Sequence, residues 1–215
     1  MMTKDDVMRI GGDLAAFLLA ASCAGCGEPG ALLCGRCRAA LTADPQDGAT
    51  PRGMPFRAAL SFDGVAARCI RRLKGEGDTF LARPLGGVLA GILLPTMTPT
   101  TWVVPVPTTR AAFRRRGYRV PDLLARRAGT EPQRVLRRVT GTTEQKRLGA
   151  TAREENVRGA MRARGSGRGA EALIVDDVVT TGATLDEAAR ALEEAGFHVL
   201  GAVALAATPR RAGFG

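Results

Sequence analysis

Two adjacent aspartates, Asp176 and Asp177, follow a run of apolar residues and precede a turn rich in threonine and glycine. The turn, residues 180–184, reads TTGAT and leads into a helix-like pattern. Backbone N–H groups at a helix N-terminus attract a phosphate, and Gly182 permits close backbone approach. The acids cannot bind that phosphate, but they can accept hydrogen bonds from the vicinal hydroxyls of a ribose or lie near Mg²⁺. The pattern therefore predicts a ribose 5-phosphate site.

Thr184 has a second, purely structural interpretation. With Glu187 three residues later it matches the T-x-x-E pattern of a capping box, in which the threonine starts the helix. The hydroxyls of Thr180, Thr181 and Thr184 are also candidate phosphate donors, and the two interpretations of Thr184 are compatible.

Four cysteines near the N-terminus form a second chemical pattern, two Cys-x-x-Cys pairs separated by seven residues. This spacing is typical of a tetrahedral zinc site. Two disulfides or redox-active dithiols are the alternatives, although stable disulfides are uncommon in a cytoplasmic chain. Four thiolate ligands leave no open position, so the zinc would be structural. The expected ligands are Cys23, Cys26, Cys34 and Cys37, whereas the isolated Cys69 is expected in the core.

Residues 173–184, LIVDDVVTTGAT, resemble the phosphoribosyl-pyrophosphate (PRPP) signature of type I phosphoribosyltransferases. In that family the acidic pair binds the ribose hydroxyls and the turn binds the 5-phosphate. The resemblance implies a PRPP site made of Asp176, Asp177, Val178, Val179, Thr180, Thr181, Gly182, Ala183 and Thr184.

The order of motifs resembles the ComF family across nearly the full chain, including its four-cysteine zinc module. The resemblance implies a role in natural transformation, in which single-stranded DNA is handled together with a helicase and the DNA-uptake channel. The implied location is cytoplasmic, at most peripheral at the inner face of the membrane. The matching elements are Lys74, Pro105-Val106-Pro107, Arg110, Arg116-Gly117-Tyr118, Thr142, Gln145, Leu148, Arg153, Asn156 and 176–184.

One departure from the family concerns the residues after Tyr118. The family has Asn-Gln where this chain has Arg119 and Val120. Any contact that the missing pair makes to a second ligand is in doubt, but the ribose-phosphate motif is intact.

Phosphoribosyl transfer needs cations around the leaving pyrophosphate, usually with Mg²⁺. Residues 104–110 resemble the family's pyrophosphate loop, formed here by Val106, Pro107, Thr108 and Arg110. The expected catalytic residues are thus Asp176, Asp177 and Arg110. Candidates for contacts to an acceptor or to DNA are Lys74, Arg114, Arg115, Arg116, Gly117 and Tyr118, and for each arginine a solvated surface role is the alternative.

Two functions from different classes remain open. One is an enzyme that transfers phosphoribose to an unidentified nucleophile, and the other is a non-catalytic module that binds PRPP or single-stranded DNA. A zinc-dependent regulator of transcription is a weaker third. His198, the only histidine, falls in a predicted strand, so we expect a structural role for it and no histidine general base. The chain lacks the G-x4-G-K-[ST] loop of ATPases, which disfavours ATPase activity.

The positive charge is concentrated in the middle of the chain. Residues 103–168 hold 17 of the 31 basic residues but only 5 of the 21 acidic ones. Such a segment favours phosphate-rich ligands or nucleic acid. Aromatic residues make up only 4% of the chain, so few side chains are available to stack on the bases of single-stranded nucleic acid.

These residues require a framework that brings the ends of strands together. Strands at 56–64, 101–107, 171–177 and 197–206 alternate with helices at 65–75, 79–94, 118–129 and 184–196, which predicts an α/β fold with a mainly parallel sheet flanked by helices. Ligands then bind at the carboxyl ends of the strands.

The domain organisation follows from composition. We expect an N-terminal helix and zinc-ribbon or knuckle module in 1–45, a linker rich in Pro, Gly and Asp at 43–55, and a phosphoribosyltransferase-like domain in 55–215 with a basic insertion or hood at about 108–168. The apolar stretch 13–22 is too short to span a bilayer and predicts an amphipathic helix, and no integral membrane segment is expected.

Overall fold

A five-stranded sheet forms the centre of the computed structural model, which describes residues 21–139 and 159–209. Its strand order is β1-β2-β7-β6-β3, and every neighbouring pair is parallel except β1 with β2. A separate antiparallel ribbon pairs β4 with β5. The strands are β1 (Gln46–Ala49), β2 (Pro55–Ser61), β3 (Trp102–Pro105), β4 (Leu136–Arg138), β5 (Met161–Ala163), β6 (Glu171–Val179) and β7 (His198–Ala207).

Helices cover both faces of the sheet. Successive residues of β6 point to opposite faces: Leu173 and Val175 join one buried cluster, and Ile174 joins the other. This alternation lets a fully apolar strand bury both sides. The helices are α1 (Gly35–Ala39), α2 (Gly64–Gly75), α3 (Ala82–Leu93), α4 (Arg110–Arg116), α5 (Val120–Arg127) and α6 (Ala183–Glu193), with 3₁₀ turns at Thr79–Leu81 and Leu94–Thr96.

The predicted mainly parallel α/β fold is confirmed, and two local expectations are wrong. The segment 43–55, predicted as a linker, contains the edge strand β1. Thr184 does not start a helix, because α6 begins at Ala183 with Gly182 as its N-cap residue. Glu187 instead bonds outside its own helix, to the backbone N–H of Met161.

The four-cysteine segment packs against α2 and shares a buried cluster with the main sheet. Leu33 and Leu41 lie in the same cluster as Ile70 and Cys69, and the side chain of Arg68 donates a hydrogen bond to the Gly25 carbonyl. Cys69 is fully buried, as expected for a core residue. The division into units 1–45 and 55–215 stays a prediction.

Helix α3 and its flanking turns are mostly apolar, and Arg83 is the one charged residue in Thr79–Thr96. The stretch Thr79–Thr96 has the length and composition of a membrane-crossing helix, but core helices share these properties. Leu85, Leu89 and Leu93 on this stretch are fully buried in the core. The predicted helix at 13–22 falls almost entirely outside the described residues, as do Thr142, Gln145, Leu148, Arg153 and Asn156.

Candidate functional site

The acidic pair lies within β6, two residues before its carboxyl end. Both carboxylates are 8% exposed. Asp176 Oδ1 accepts a hydrogen bond from the Asp177 N–H at 2.8 Å, and Lys74 Nζ lies 2.9 Å from Asp177 Oδ1. No donor among the described residues contacts the second oxygen of either carboxylate. Each acid therefore keeps an oxygen that can accept a hydroxyl or join Mg²⁺.

The surroundings of Asp176 favour its protonated form. Burial raises its pKa, and the neighbouring carboxylate of Asp177 raises it further, to about 8. The positive charges of Lys74 and Arg138 act in the opposite direction. The pKa of Asp176 thus reports the balance between burial and the surrounding cations.

The turn after β6 has the backbone geometry of an anion site. Gly182 has a φ of 86°, and its carbonyl accepts the N–H groups of Leu185 and Asp186. No described residue accepts a hydrogen bond from the N–H of Thr181, Gly182 or Thr184. These donors stand at the N-terminus of α6, where the helix dipole favours a negative charge.

Residues that the sequence did not single out support this turn from behind. The Thr50 hydroxyl donates to Asp186 Oδ1, and the Arg52 N–H donates to Asp186 Oδ2 at 3.1 Å. A Cβ on Gly182 would lie 3.2 Å from Thr50. The segment following β1 therefore packs directly on the turn, and no pattern in its polar sequence marks this contact.

The predicted pyrophosphate loop lies at the same edge of the sheet as the acidic pair. Pro105 pairs with Val175, and the Val106 N–H donates to the Val175 carbonyl at 2.9 Å. Val106 is buried, Pro107 and Thr108 are half-buried, and Arg110 is the exposed first residue of α4. Parallel pairing of β3 with β6 is what places this loop beside the acids.

A cleft of about 420 Å³ opens between this loop, α5 and the β4–β5 ribbon. Among the residues that the structure describes, Asp122 is the only carboxylate lining it, and it is paired with Arg134. A concave surface of one charge focuses a strong positive potential. The arginines of this cleft, which we call the arginine cleft, are Arg110, Arg119, Arg134, Arg137, Arg138 and Arg164.

One of the two residues that differ from the ComF pattern, Arg119, lies in the arginine cleft. Arg119 lines it, with its guanidinium carbon 4.4 Å from the centre of the Phe113 ring, while Val120 is fully buried. The chain thus has an additional cation where the family has asparagine.

The predicted acceptor or DNA residues lie elsewhere than the arginine cleft. Arg114 and Arg115 are exposed on α4, and Arg116 bonds to the Ala112 carbonyl of its own helix. Gly117 ends α4 with a φ of 79°, and the Tyr118 hydroxyl donates to the Leu73 carbonyl. Their predicted role stays a prediction. The sequence showed the positive charge of the middle segment, but it did not show which arginines come together in the folded protein.

The four predicted cysteines converge, and the arrangement fits a metal ion. Their sulfur atoms lie within 4.8 Å of one another, and those of Cys26 and Cys34 are 3.8 Å apart. Thiolates bound tetrahedrally to one Zn²⁺ lie about 3.8 Å apart. A Cβ at Gly25 would come within 2.6 Å of the Cys37 sulfur, so this position requires glycine.

Backbone donors prepare one of these sulfurs as a thiolate. Burial opposes ionisation of Cys23, but N–H groups of Cys34, Cys26 and Gly25 point at its sulfur and lower its pKa to about 6. Burial raises the pKa of Cys37. A bound cation would favour the thiolate form of all four cysteines, including Cys37.

A family model for the phosphoribosyl transferase domain matches residues 103–214. The chain belongs to this family. The match begins at β3 and contains the predicted pyrophosphate loop, the β4–β5 ribbon and the PRPP motif.

Two curated relatives are both named DNA utilization protein YhgH, from Salmonella typhi and Salmonella typhimurium. Each is 35% identical to this chain over 95 residues, which is 42% of this chain and 42% of the relative. The match thus spans less than half the length of these relatives. Together with the family match, they confirm the predicted ComF-like phosphoribosyltransferase-fold protein.

Two solved phosphoribosyltransferases are distantly similar. A hypoxanthine phosphoribosyltransferase from Staphylococcus aureus is 19% identical, with a TM-score of 0.34 and coverage of 62% of this chain and 65% of that chain. An adenine phosphoribosyltransferase is 15% identical, with a TM-score of 0.36 and coverage of 80% and 89%.

Proposed function

We propose that the protein binds PRPP, or another ligand carrying ribose 5-phosphate, together with Mg²⁺, and transfers its phosphoribosyl group to a nitrogen nucleophile. The observation that carries this proposal is the acidic pair near the carboxyl end of β6, followed two residues later by a turn with N–H donors that bond to no described residue. Such a turn suits the 5-phosphate, and the free oxygens of Asp176 and Asp177 suit the ribose hydroxyls.

The leaving pyrophosphate would lie at the pyrophosphate loop, towards the arginine cleft. Transfer breaks the bond between C1 and the pyrophosphate oxygen and forms a bond from C1 to the nucleophile, which then loses a proton. Arg110 and Arg138 would stabilise the negative charge that develops on pyrophosphate. Bound Mg²⁺ would neutralise and orient the pyrophosphate oxygens.

Calorimetric titration with PRPP and Mg²⁺ tests the ligand. We expect saturable binding by the wild type, a decrease of at least tenfold in affinity for Asp176→Asn and Asp177→Asn, and no change for Glu131→Gln. Glu131 is an exposed carboxylate paired with Arg126 and lies outside the candidate site, so it is the control for loss of a carboxylate charge. Absence of binding by the wild type would refute the proposal. Pyrophosphate release on adding nucleobases or amines would identify an enzyme.

A non-catalytic module that binds PRPP and single-stranded DNA during DNA uptake is the second candidate. The arginine cleft favours it, because guanidinium groups bind phosphates in a forked geometry. The name of the curated relatives also agrees with a role in DNA handling. A helicase and the uptake channel would be partners, and the location would be cytoplasmic, at most peripheral at the inner membrane face.

Salt dependence of binding to a fluorescent oligonucleotide tests this second candidate. Removing one arginine that binds a phosphate should reduce the slope of log affinity against log salt by about 0.7 for a single strand. We expect Arg137→Ala and Arg138→Ala to reduce it. Arg162→Ala is the matched control, because Arg162 lies on the same ribbon and lines a different depression. An affinity independent of salt would exclude phosphate binding by these arginines.

Zinc in the four-cysteine cluster completes the proposal. Cys23, Cys26, Cys34 and Cys37 would hold it as thiolates, and no ligand position would remain for a substrate. Its function would be to stabilise the segment that packs against α2.

A further inference from the structure

Two adjacent buried carboxylates in the first turns of α6 bind segments on opposite sides of the site. Asp186 is 8% exposed and holds residues 50–52, which pack on the turn at 180–184, the candidate phosphate turn. Glu187 is 4% exposed and holds the start of β5. The helix that begins at the phosphate turn therefore also fixes the ribbon that lines the arginine cleft.

The contacts of Glu187 to the ribbon are closely arranged. Its Oε1 accepts the Met161 N–H at 2.8 Å and Arg190 Nη2 at 2.7 Å, and its Oε2 accepts Arg190 Nε at 2.7 Å. Arg190 Nη2 also donates to the Met161 carbonyl at 3.0 Å. Both backbone polar groups of Met161 are thus held by one ion pair on α6.

Fixing Met161 fixes an arginine of the cleft. In the ribbon, Met161 is the register partner of Arg138, and Arg137 pairs with Arg162. Arg138 lines the cleft, and its charge acts on Asp176. A continuous path of contacts therefore leads from the phosphate turn through α6, Glu187 and Met161 to Arg138.

Ionisation of Glu187 is consistent with this role. Burial alone would raise its pKa, but hydrogen bonds from Arg190 and from the N–H groups of Met161 and Gly159 outweigh burial, so its pKa is lowered. An ionised, fully hydrogen-bonded carboxylate holds its partners more firmly than a neutral one.

We propose that Glu187, through Arg190 and Met161, positions the β4–β5 ribbon so that the site prefers a ligand with pyrophosphate over ribose 5-phosphate alone. This inference rests on the proposed function. Glu187 would touch no ligand and is a positioning residue. Its removal would leave the phosphate turn in place, because Leu185 and Leu192 still pack α6 into the core, but would let Arg138 move away from the leaving group.

The test compares two ligands on the same variants. Calorimetric dissociation constants are measured for PRPP with Mg²⁺ and for ribose 5-phosphate. Glu187→Ala should weaken PRPP binding about tenfold or more and ribose 5-phosphate binding less than twofold. Glu187→Gln keeps an acceptor for the Met161 N–H and should recover part of the preference. Glu194→Gln is the matched control, because it removes an exposed carboxylate from the same arginine, and should change neither constant.

Arg190→Lys provides a second route if Glu187→Ala does not fold. A lysine keeps the charge beside Glu187 but lacks the fork that also reaches the Met161 carbonyl. It should reduce the preference for PRPP and speed hydrogen exchange of the Met161 amide.

The outcomes separate this inference from the proposed function. Equal decreases in affinity for both ligands, or none for either, in variants that fold would overturn the positioning role while the proposed function stands. Binding of neither ligand by the wild type would overturn both. A selective decrease in PRPP affinity, with Glu194→Gln unchanged, would support the inference.

Discussion

Lys74 Nζ lies 2.9 Å from Asp177 Oδ1, which joins the last turn of α2 to the acidic pair of β6 across 103 residues of sequence. The same helix contacts the four-cysteine segment through Arg68, and the carbonyl of its Leu73 accepts the Tyr118 hydroxyl. Helix α2 therefore connects the candidate metal site with the candidate ligand site.

Replacing Lys74 by methionine should weaken PRPP binding by about tenfold, because it removes a positive charge beside a site for a ligand that carries several negative charges. Without the ammonium group, Asp177 loses its ion-pair partner and only the charge of Arg138 still lowers the pKa of Asp176 among the cations that act on it, so this pKa should rise further. Calorimetry measures the affinity. Arg71→Met, on the exposed side of the same helix, is the control and should bind normally. Tighter PRPP binding by Lys74→Met would contradict this assignment.

The raised pKa of Asp176 makes the free energy of unfolding depend on pH. Between pH ~4 and ~8 the unfolded state ionises this carboxyl while the folded state keeps it protonated, so stability falls as pH rises through this range. Asp176→Asn removes that decrease. We expect its denaturation midpoint in urea, relative to wild type, to be higher at pH 8 than at pH 4.5. A difference that does not vary with pH would show that Asp176 is ionised in the folded protein.

Gly182→Ala should destabilise the fold and disrupt the phosphate turn. A side chain at a φ of 86° costs about 1–2 kcal/mol, and the new Cβ would also lie 3.2 Å from Thr50. Gly129→Ala is the matched control, because Gly129 has a φ of 91° and open space around it. Urea denaturation should show a larger decrease in stability for Gly182→Ala. Equal decreases would mean that Thr50 moves aside without lowering the free energy of unfolding.

Metal analysis of the purified protein should find one zinc per chain. Cys23→Ser and Cys34→Ser should lose it, and chelation of the wild type should lower its melting temperature by about 5 °C or more, because binding to the folded state alone stabilises it. Cys69→Ala should keep its zinc, since Cys69 is buried in the core and is not one of the four cysteines whose sulfur atoms converge. Metal-free protein purified under reducing conditions with an unchanged melting temperature would argue against the site.

Structural features that depend on one short segment of the chain could be predicted from the sequence. The turn around Gly182 follows from a strand, a glycine and a helix in sequence order, and the paired cysteines follow from their spacing. Pairing across the chain could not be predicted. The polar strand β1 forms because β2 offers an edge, and Thr50 becomes buried only because α6 presents Asp186.

The capping box at Thr184 shows why a local pattern can mislead. Its sequence fits, yet Gly182 starts the helix, and Glu187 finds better partners in Arg190 and the backbone of Met161. A buried carboxylate with three N–H donors is stabilised more than a solvent-exposed cap would be, so the tertiary contact prevails.

The sequence by itself determined the α/β class, the acidic pair followed by the turn at 180–184, and the four cysteines that converge as a candidate metal site. Local hydrogen bonding and the alternation of apolar residues suffice for these features. The tertiary structure decided which cations lie near the acids. Lys74 pairs with Asp177, and Arg138 of the arginine cleft acts on Asp176. Charge alone cannot select among 31 basic residues, because only the parallel order of the strands and the ribbon held by Glu187 bring particular side chains to one edge.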